Sequence, residues 1–237
     1  MLISTPGIVL HSTKYSDTSL IVKIFTYEQG TQSFIIKGAF SKKGKIRASF
    51  FLPLSILNIT YNDPNRETLK FLKDVSRYDE TMDVQFDPVK SSILLFYNEI
   101  LYKLLFDAGP DPILFRFILE EIQKVNKQED NLADLPIRFL LRLSNNLGFF
   151  PENNYSEKDC YFSLEESRFQ SYFLNERCEL SKEESCYLSQ LLNNDENISV
   201  SRPLRNALLY HLIAYFRMHN EQIREISSVE VLSSVLR

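Results

Sequence analysis

Residues 32–61, QSFIIKGAFSKKGKIRASFFLPLSILNITY, join two kinds of chain. The flanks, QSFIIK and SFFLPLSILNITY, are rich in β-branched and aromatic residues, the composition that suits strands. Between them, residues 36–50 carry five basic side chains, Lys37, Lys42, Lys43, Lys45 and Arg47, and no acidic one. Gly38 and Gly44, with Ser41 between them, mark a flexible loop. The stretch therefore predicts a basic loop joining two strands, its lysines held at their bases by a sheet. On charge alone such a loop either meets phosphates or only keeps a sheet edge soluble.

Working outward, GIVLHSTKY, SLIVKIFTY and ETLKFLKDV add three more strand-like runs, punctuated by SD, EQG and NDPN. Pro64 presets a turn in the last of these. Five strands in about 80 residues fit a small barrel, the usual dimension of an OB-fold, whose curved face and loops bind single strands. Pattern alone also admits an SH3-like barrel.

After about residue 79 the apolar period lengthens to that of helices. Runs start at Pro88, at Ile113 and at Leu135, the last stopped by Gly148. Aromatics at Tyr161, Phe162, Phe169, Tyr172 and Phe173 predict a short hairpin or irregular insert. Helical spacing returns at 181–194, from Leu204, and after Ser227, where Ser227 and Glu230 are spaced as a capping box. The expected architecture is α+β: an OB-fold-like nucleic-acid-binding domain over 1–80, then a helical domain over 81–237 with the insert near 155–178.

Charge divides at the same place. Residues 1–80 hold eleven basic and seven acidic residues, net +4, while the remainder holds sixteen and twenty-four, net −8. A basic head on an acidic body points to nucleic-acid contact by the head. No run approaches the roughly 20 apolar residues of a membrane span, and the start lacks the pattern of a signal peptide, so a cytoplasmic protein away from membranes is expected. The three cysteines, Cys160, Cys178 and Cys186, form no C-x-x-C pair and indicate neither a disulfide frame nor a zinc site.

Catalytic motifs do not emerge. GAFSKKGKI departs from a phosphate-binding P-loop, because five residues separate Gly38 from Gly44 and Ile46 stands where Ser or Thr must reach magnesium. His11, His211 and His219 have no metal-ligand spacing. The adjacent pairs Glu120-Glu121, Glu165-Glu166 and Glu183-Glu184 are accounted for by a charged, solvated face. The expectation is a protein without cofactor or catalytic residues. Its alternatives are an adaptor between proteins, without DNA affinity, and an enzyme with a dispersed site.

PGIVLHSTKYSDTSLIVKIFTYEQG followed by IIKGAFSKKGKIRASFFLPLSIL resembles the opening of the recombination mediator family RecO, with its strand, Y-S-D turn, strand, basic K-G loop and L-x-P strand in that order. RLSNNLGFFP and RPLRNALLYHLIAYFRMHNEQIREISSVEVLSSVL are similar to its helical half and tail. The resemblance implies a DNA-repair mediator that binds single- and double-stranded DNA and anneals single strands. It further implies contact with the C-terminal tail of single-stranded-DNA-binding protein, and action with RecR in loading RecA recombinase. Many relatives carry paired C-x-x-C motifs for zinc after the LG-x-x-P segment; here only the three cysteines remain. For DNA the candidates are Lys14, Tyr15, Lys37, Phe40, Lys42, Lys43, Lys45 and Arg47, the two rings offering faces for bases unless they lie in the barrel core. For the acidic tail, which ends in an apolar residue and a free carboxylate, the candidates are Arg138 and Arg142 on one helix face, Leu147 and Phe149 beside the Gly148 stop, and Arg205. The alternative for these arginines is surface pairing within an acidic domain.

Overall fold

Alternate residues of SLIVKIFTY turn inward, so that Leu20, Val22 and Ile24 are buried, and the same parity repeats in the strands on either side. A computed structural model describes residues 2–42, 44–63, 69–78, 87–195 and 198–236. It contains strands β1 (Leu2–Lys14), β2 (Leu20–Thr26), β3 (Gly30–Ile36), β4 (Ile56–Asn62) and β5 (Leu69–Arg77). They close into a barrel in the order β1-β2-β3-β5-β4, with β4 returning to β1 and a parallel β3–β5 pair among antiparallel neighbours. That order is the OB-fold and excludes the SH3-like alternative. β1 serves two partners: Gly7 to Lys14 pair with β2, Leu2 to Ile8 with β4, and a bulge between Val9 and His11 bends the strand around the corner. Val9, Val22, Ile24, Phe34, Leu57, Ile59 and Tyr61 fill the interior.

One predicted strand is shorter than its composition suggests. Of SFFLPLSILNITY only Ile56 onward pairs; Ala48–Phe50 is a 3-10 turn, and residues 52–55 form a turn in which Leu54 takes a left-handed φ of 58°. Leu54 is held there because its amide donates to the Val9 carbonyl (2.8 Å) and its side chain is buried. The predicted NDPN turn lies outside the described residues from Pro64 on.

Contacts divide the chain into two compact units, Met1–Gln128 and Glu129–Arg237. The first unites the barrel with α1 (Pro88–Leu104) and α2 (Pro112–Lys127), so the change of period near residue 80 marks where strands give way to helices within it. Each helix opens on an aspartate cap followed by proline, Asp87 and Asp111 accepting from two amides apiece. The end of α1 seats on the β2–β3 turn. Thr31 donates its amide to the Ala108 carbonyl (2.8 Å) and its hydroxyl to the Leu105 carbonyl (2.6 Å), and Lys23 Nζ reaches the Phe106 carbonyl (2.8 Å) while lying over the Phe106 ring. Gly30, at φ +65°, leaves no room for a Cβ, which would sit 2.3 Å from the Ala108 oxygen.

The second unit holds α3 (Leu135–Leu147), a small hairpin of β6 (Tyr161–Ser163) and β7 (Arg168–Gln170), and helices α4 (Lys182–Leu192), α5 (Arg202–His219) and α6 (Ser228–Val235). Gly148 stops α3 at φ +84°, as the sequence indicates. The capping box does not form at Ser227 and Glu230, where the α6 entry residue keeps helical angles and makes no side-chain cap. It forms instead at Ser181 and Glu184 of α4. Nor are all paired glutamates solvated: Glu121 and Glu184 are buried, and the Glu184 carboxylate meets His211 Nδ1 at 2.7 Å.

That last contact ties α4 to α5 and titrates from both ends. The hydrogen bond to Glu184 raises the His211 pKa above 6.5 against the opposing effect of burial. Burial opposes ionisation of Glu184, but hydrogen bonds from His211 and Ser181 hold its pKa below 4.5. The histidine contribution is therefore full below pH 6.5 and is lost as pH rises through its raised folded value; the glutamate contribution is full above 4.5 and is lost as pH falls through its depressed one. The stability gap between wild type and His211→Asn is expected to be widest between about pH 4.5 and 6.5, roughly 1–3 kcal/mol, and to narrow above neutrality. Denaturant melts across that range check it, and a gap independent of pH would rule out the ion pair.

Candidate nucleic-acid interface

In a barrel of this order β3 cannot turn straight back into β4, because β5 lies between them, so nineteen residues pass from Ile36 to Ile56. Their path is tied at its base and free at its tip. Ala39 is buried and its carbonyl accepts from the Ala48 amide (3.1 Å). Between those points two tight turns stack, the Ser41 amide donating to the Gly38 carbonyl (2.9 Å) and the Gly44 amide to the Ser41 carbonyl (3.1 Å). Gly38 has φ +74°, and a Cβ on Gly44 would lie 2.0 Å from the Gly38 oxygen. Both glycines are thus required by the turn itself.

Lys37, Lys42, Lys45 and Arg47 are exposed on this loop, while Lys43 lies outside the described residues. Among the described residues none of these four is paired with a carboxylate. Other barrel lysines differ: Lys70 is buried against Asp63 (3.1 Å), and Lys23 is bound to the end of α1. The loop also reaches the β1–β2 turn. The Phe40 amide donates to the Thr18 carbonyl (3.3 Å), and Lys14 Nζ lies 5.9 Å from the centre of the Phe40 ring. The two candidate groups, Lys14–Tyr15 and Lys37 to Arg47, therefore meet at one end of the barrel. Tyr15 is 64% exposed and Phe40 48%, so neither ring belongs to the core.

The sequence reading passed over a third ring. Phe71, on β5, stands beside Ile35 through the parallel β3–β5 register, is 48% exposed, and carries Lys37 Nζ at 4.9 Å from its centre. With Lys73 two positions on, it faces a groove of about 480 Å³ that Lys37 and Lys45 also border. The signal was the alternation of LKFLK, which puts Phe71 and Lys73 on one face and Lys70 and Leu72 on the other. Which face lies inside is settled only by pairing with β3.

In the second unit the predicted tail-binding residues separate into two groups. Arg205, its side chain 15% exposed, places Nε 3.1 Å from Asp134 Oδ1, an oxygen that also accepts from the Tyr187 hydroxyl (3.0 Å). Burial, with the Asp134 charge beside it, pushes the Tyr187 pKa well up. Arg205 Nη1 is buried without a hydrogen-bond partner, at the wall of a groove of about 380 Å³ that Ile198 and Val200 line on the apolar side. Arg138 reaches the backbone oxygen of Asp195, and the charges of both Arg138 and Arg205 act on the Tyr187 hydroxyl. Arg142 turns its Nε to the Arg138 carbonyl (3.3 Å). Leu147 lies nine residues beyond Arg138, about 13 Å along the helix. Phe149 packs on Tyr215, Phe216 and His219. Ile198 and Val200 thus lie in one groove with Arg205, while Phe149 is engaged with the rings of α5.

Cys160 is buried, Cys178 Sγ faces Glu165 at 3.5 Å, and Cys186 adjoins Tyr155. No group of three or more His, Cys, Asp or Glu among the described residues is placed to hold an ion. No helix among them is long and apolar enough to cross a membrane.

Comparison with known proteins agrees along the whole chain. The family model described as "Recombination protein O N terminal" matches residues 1–79, and "Recombination protein O C terminal" matches residues 85–226. Curated relatives named DNA repair protein RecO include those of Azobacteroides pseudotrichonymphae (29% identical over 239 residues) and Porphyromonas gingivalis (30% over 244), each alignment covering 99% of both chains. The chain belongs to the RecO family of DNA repair proteins.

Two outcomes are expected here. Gly44→Ala should open the double turn, because the atom it meets is backbone, and should speed limited trypsin cleavage after Lys42, Lys45 and Arg47 severalfold; cleavage at the wild-type rate would mean the turn tolerates a side chain. Purified protein should carry well under one zinc per chain by elemental analysis, with a melting temperature unmoved by a chelator; stoichiometric zinc would show a fourth ligand.

Proposed function

We propose that this RecO-family protein is a DNA-binding recombination mediator, which anneals single strands and helps load recombinase onto DNA coated by single-stranded-DNA-binding protein. The observation that carries the reading is the meeting, at one end of the barrel, of two loops that present Lys14, Lys37, Lys42, Lys45 and Arg47 with no carboxylate partner among the described residues, and Tyr15 and Phe40 exposed among them. Cations on such a surface neutralise phosphates and release their counterions to solution, and exposed rings accept unpaired bases. Annealing follows from the same chemistry: cations screen the repulsion of two strands, and a neutral ring face holds a base without occupying its pairing edge. The protein acts without a cofactor and without catalytic residues. Its partners are single- and double-stranded DNA, RecR, and the acidic C-terminal tail of single-stranded-DNA-binding protein.

The tail belongs, on this reading, to the groove beside Arg205. A terminal carboxylate meets the unpartnered Nη1 and the nearby Arg138, and the last apolar side chain enters between Ile198 and Val200.

Oligonucleotide titrations at two salt concentrations test the DNA reading. Lys42, Lys45 and Arg47 replaced together by Ala should leave the melting temperature unchanged and flatten the salt slope by roughly two for a single strand and nearly three for duplex. A wild-type protein with no salt-dependent binding would be the adaptor instead. For the tail, Arg138→Ala with Arg205→Ala should weaken a synthetic acidic peptide about tenfold or more, with Leu147→Ala near neutral and circular dichroism confirming the fold. The reverse ranking would move the site to the far end of α3.

A further inference from the structure

The groove along the β3–β5 pair combines three properties that no single residue supplies. Ile35 and Ile46 line it among its apolar residues. Its wall is the exposed ring of Phe71, whose face is open enough for the Lys37 ammonium to lie over it at 4.9 Å. Its rim carries Lys37, Lys45 and Lys73, and no Asp or Glu lines it among the described residues. An apolar slot beside an aromatic face selects a flat, weakly polar group, and three ammonium groups around it select an anionic chain bearing that group.

We propose that this groove is a subsite for one unpaired nucleobase, stacked on Phe71, with the phosphates on either side held by Lys37, Lys45 and Lys73. The inference rests on the DNA reading above and deepens it, because phosphate contact alone does not distinguish paired from unpaired strands, whereas a ring face is reached only by a base outside a duplex. Its position follows from the fold. Phe71 lies on β5 and Lys37 directly follows β3, so the parallel pairing of these strands carries the slot from the sheet to the foot of the basic loop. Its 48% exposure marks the ring as solvent-facing. An acidic peptide with an aliphatic residue shares part of this chemistry, but it has no flat face for the Phe71 ring.

The experiment compares wild type, Phe71→Ala and Phe71→Tyr on a thymidine oligonucleotide, on an abasic strand of equal length and charge, and on duplex. Phe71→Ala should weaken the thymidine oligonucleotide roughly five- to hundredfold, the range of one base–aromatic stack, while leaving abasic and duplex binding and every salt slope near wild type. Phe71→Tyr keeps a ring and should bind as wild type. Thymidine binding unchanged in Phe71→Ala, beside intact salt-dependent wild-type binding, overturns the subsite and leaves the DNA reading standing. Equal loss on the abasic strand makes Phe71 a support for the loop and also overturns it. Loss of acidic-peptide binding in Phe71→Ala, with oligonucleotides unaffected, assigns the groove to a protein. Failure of wild type to bind any oligonucleotide removes the DNA reading itself.

Discussion

The parallel pairing of β3 with β5 is the constraint on which both fold and site depend. A barrel of five strands made only of hairpins would place β4 beside β3 and join them by a few residues. Inserting β5 between them forces the chain to cross one end of the barrel before β4 begins. That crossing is the basic loop. The same pairing aligns Ile35 with Phe71, and so builds the groove at the loop's foot. The cations are held near a sheet because of how the sheet closes, which is why their neighbourhood is both ordered at its base and exposed at its tip.

Lysines in the first unit divide by burial between two tasks. Lys70 and Lys23 are held by Asp63 and by the end of α1, where desolvation makes a lost partner costly. Lys37, Lys45 and Lys73 instead border an open groove. A net charge of −4 for the chain does not prevent this. At physiological ionic strength fields fade over about 8 Å, so the charge that a phosphate meets is that of the nearest side chains.

Strand and helix content was legible because it rests on local periodicity, and α3 with its Gly148 stop shows how much a single glycine can settle. SFFLPLS misled because its composition suits a strand, while the barrel order requires that segment to travel around the end and turn at Leu54. Ser227 and Glu230 have the spacing of a capping box without the backbone angles, whereas Ser181 and Glu184 have both. Of the candidate residues, the basic loop was visible as charge. Phe71 was hidden because alternation tells which residues share a face but not which face is inside. The relation of Arg205 to Arg138 was hidden for a different reason: they lie on helices far apart in sequence, and it is the fold that lets both charges act on the Tyr187 hydroxyl.

The free protein must keep three exposed rings, Tyr15, Phe40 and Phe71, from becoming sites of non-specific association. Two of them carry an ammonium group: Lys14 near Phe40 and Lys37 over Phe71. Such a contact contributes roughly 0.5–1 kcal/mol at an exposed site, enough to keep water and charge at the ring but less than the roughly 1–3 kcal/mol of a stacked base. A base therefore displaces the ammonium from the face at a net gain. The displaced lysine does not return to water alone, because the nucleotide that brings the base brings a phosphate beside it. On the proposed reading, stacking and ion pairing are thereby coupled through one side chain, Lys37 guarding the ring when the groove is empty and holding the strand when it is filled.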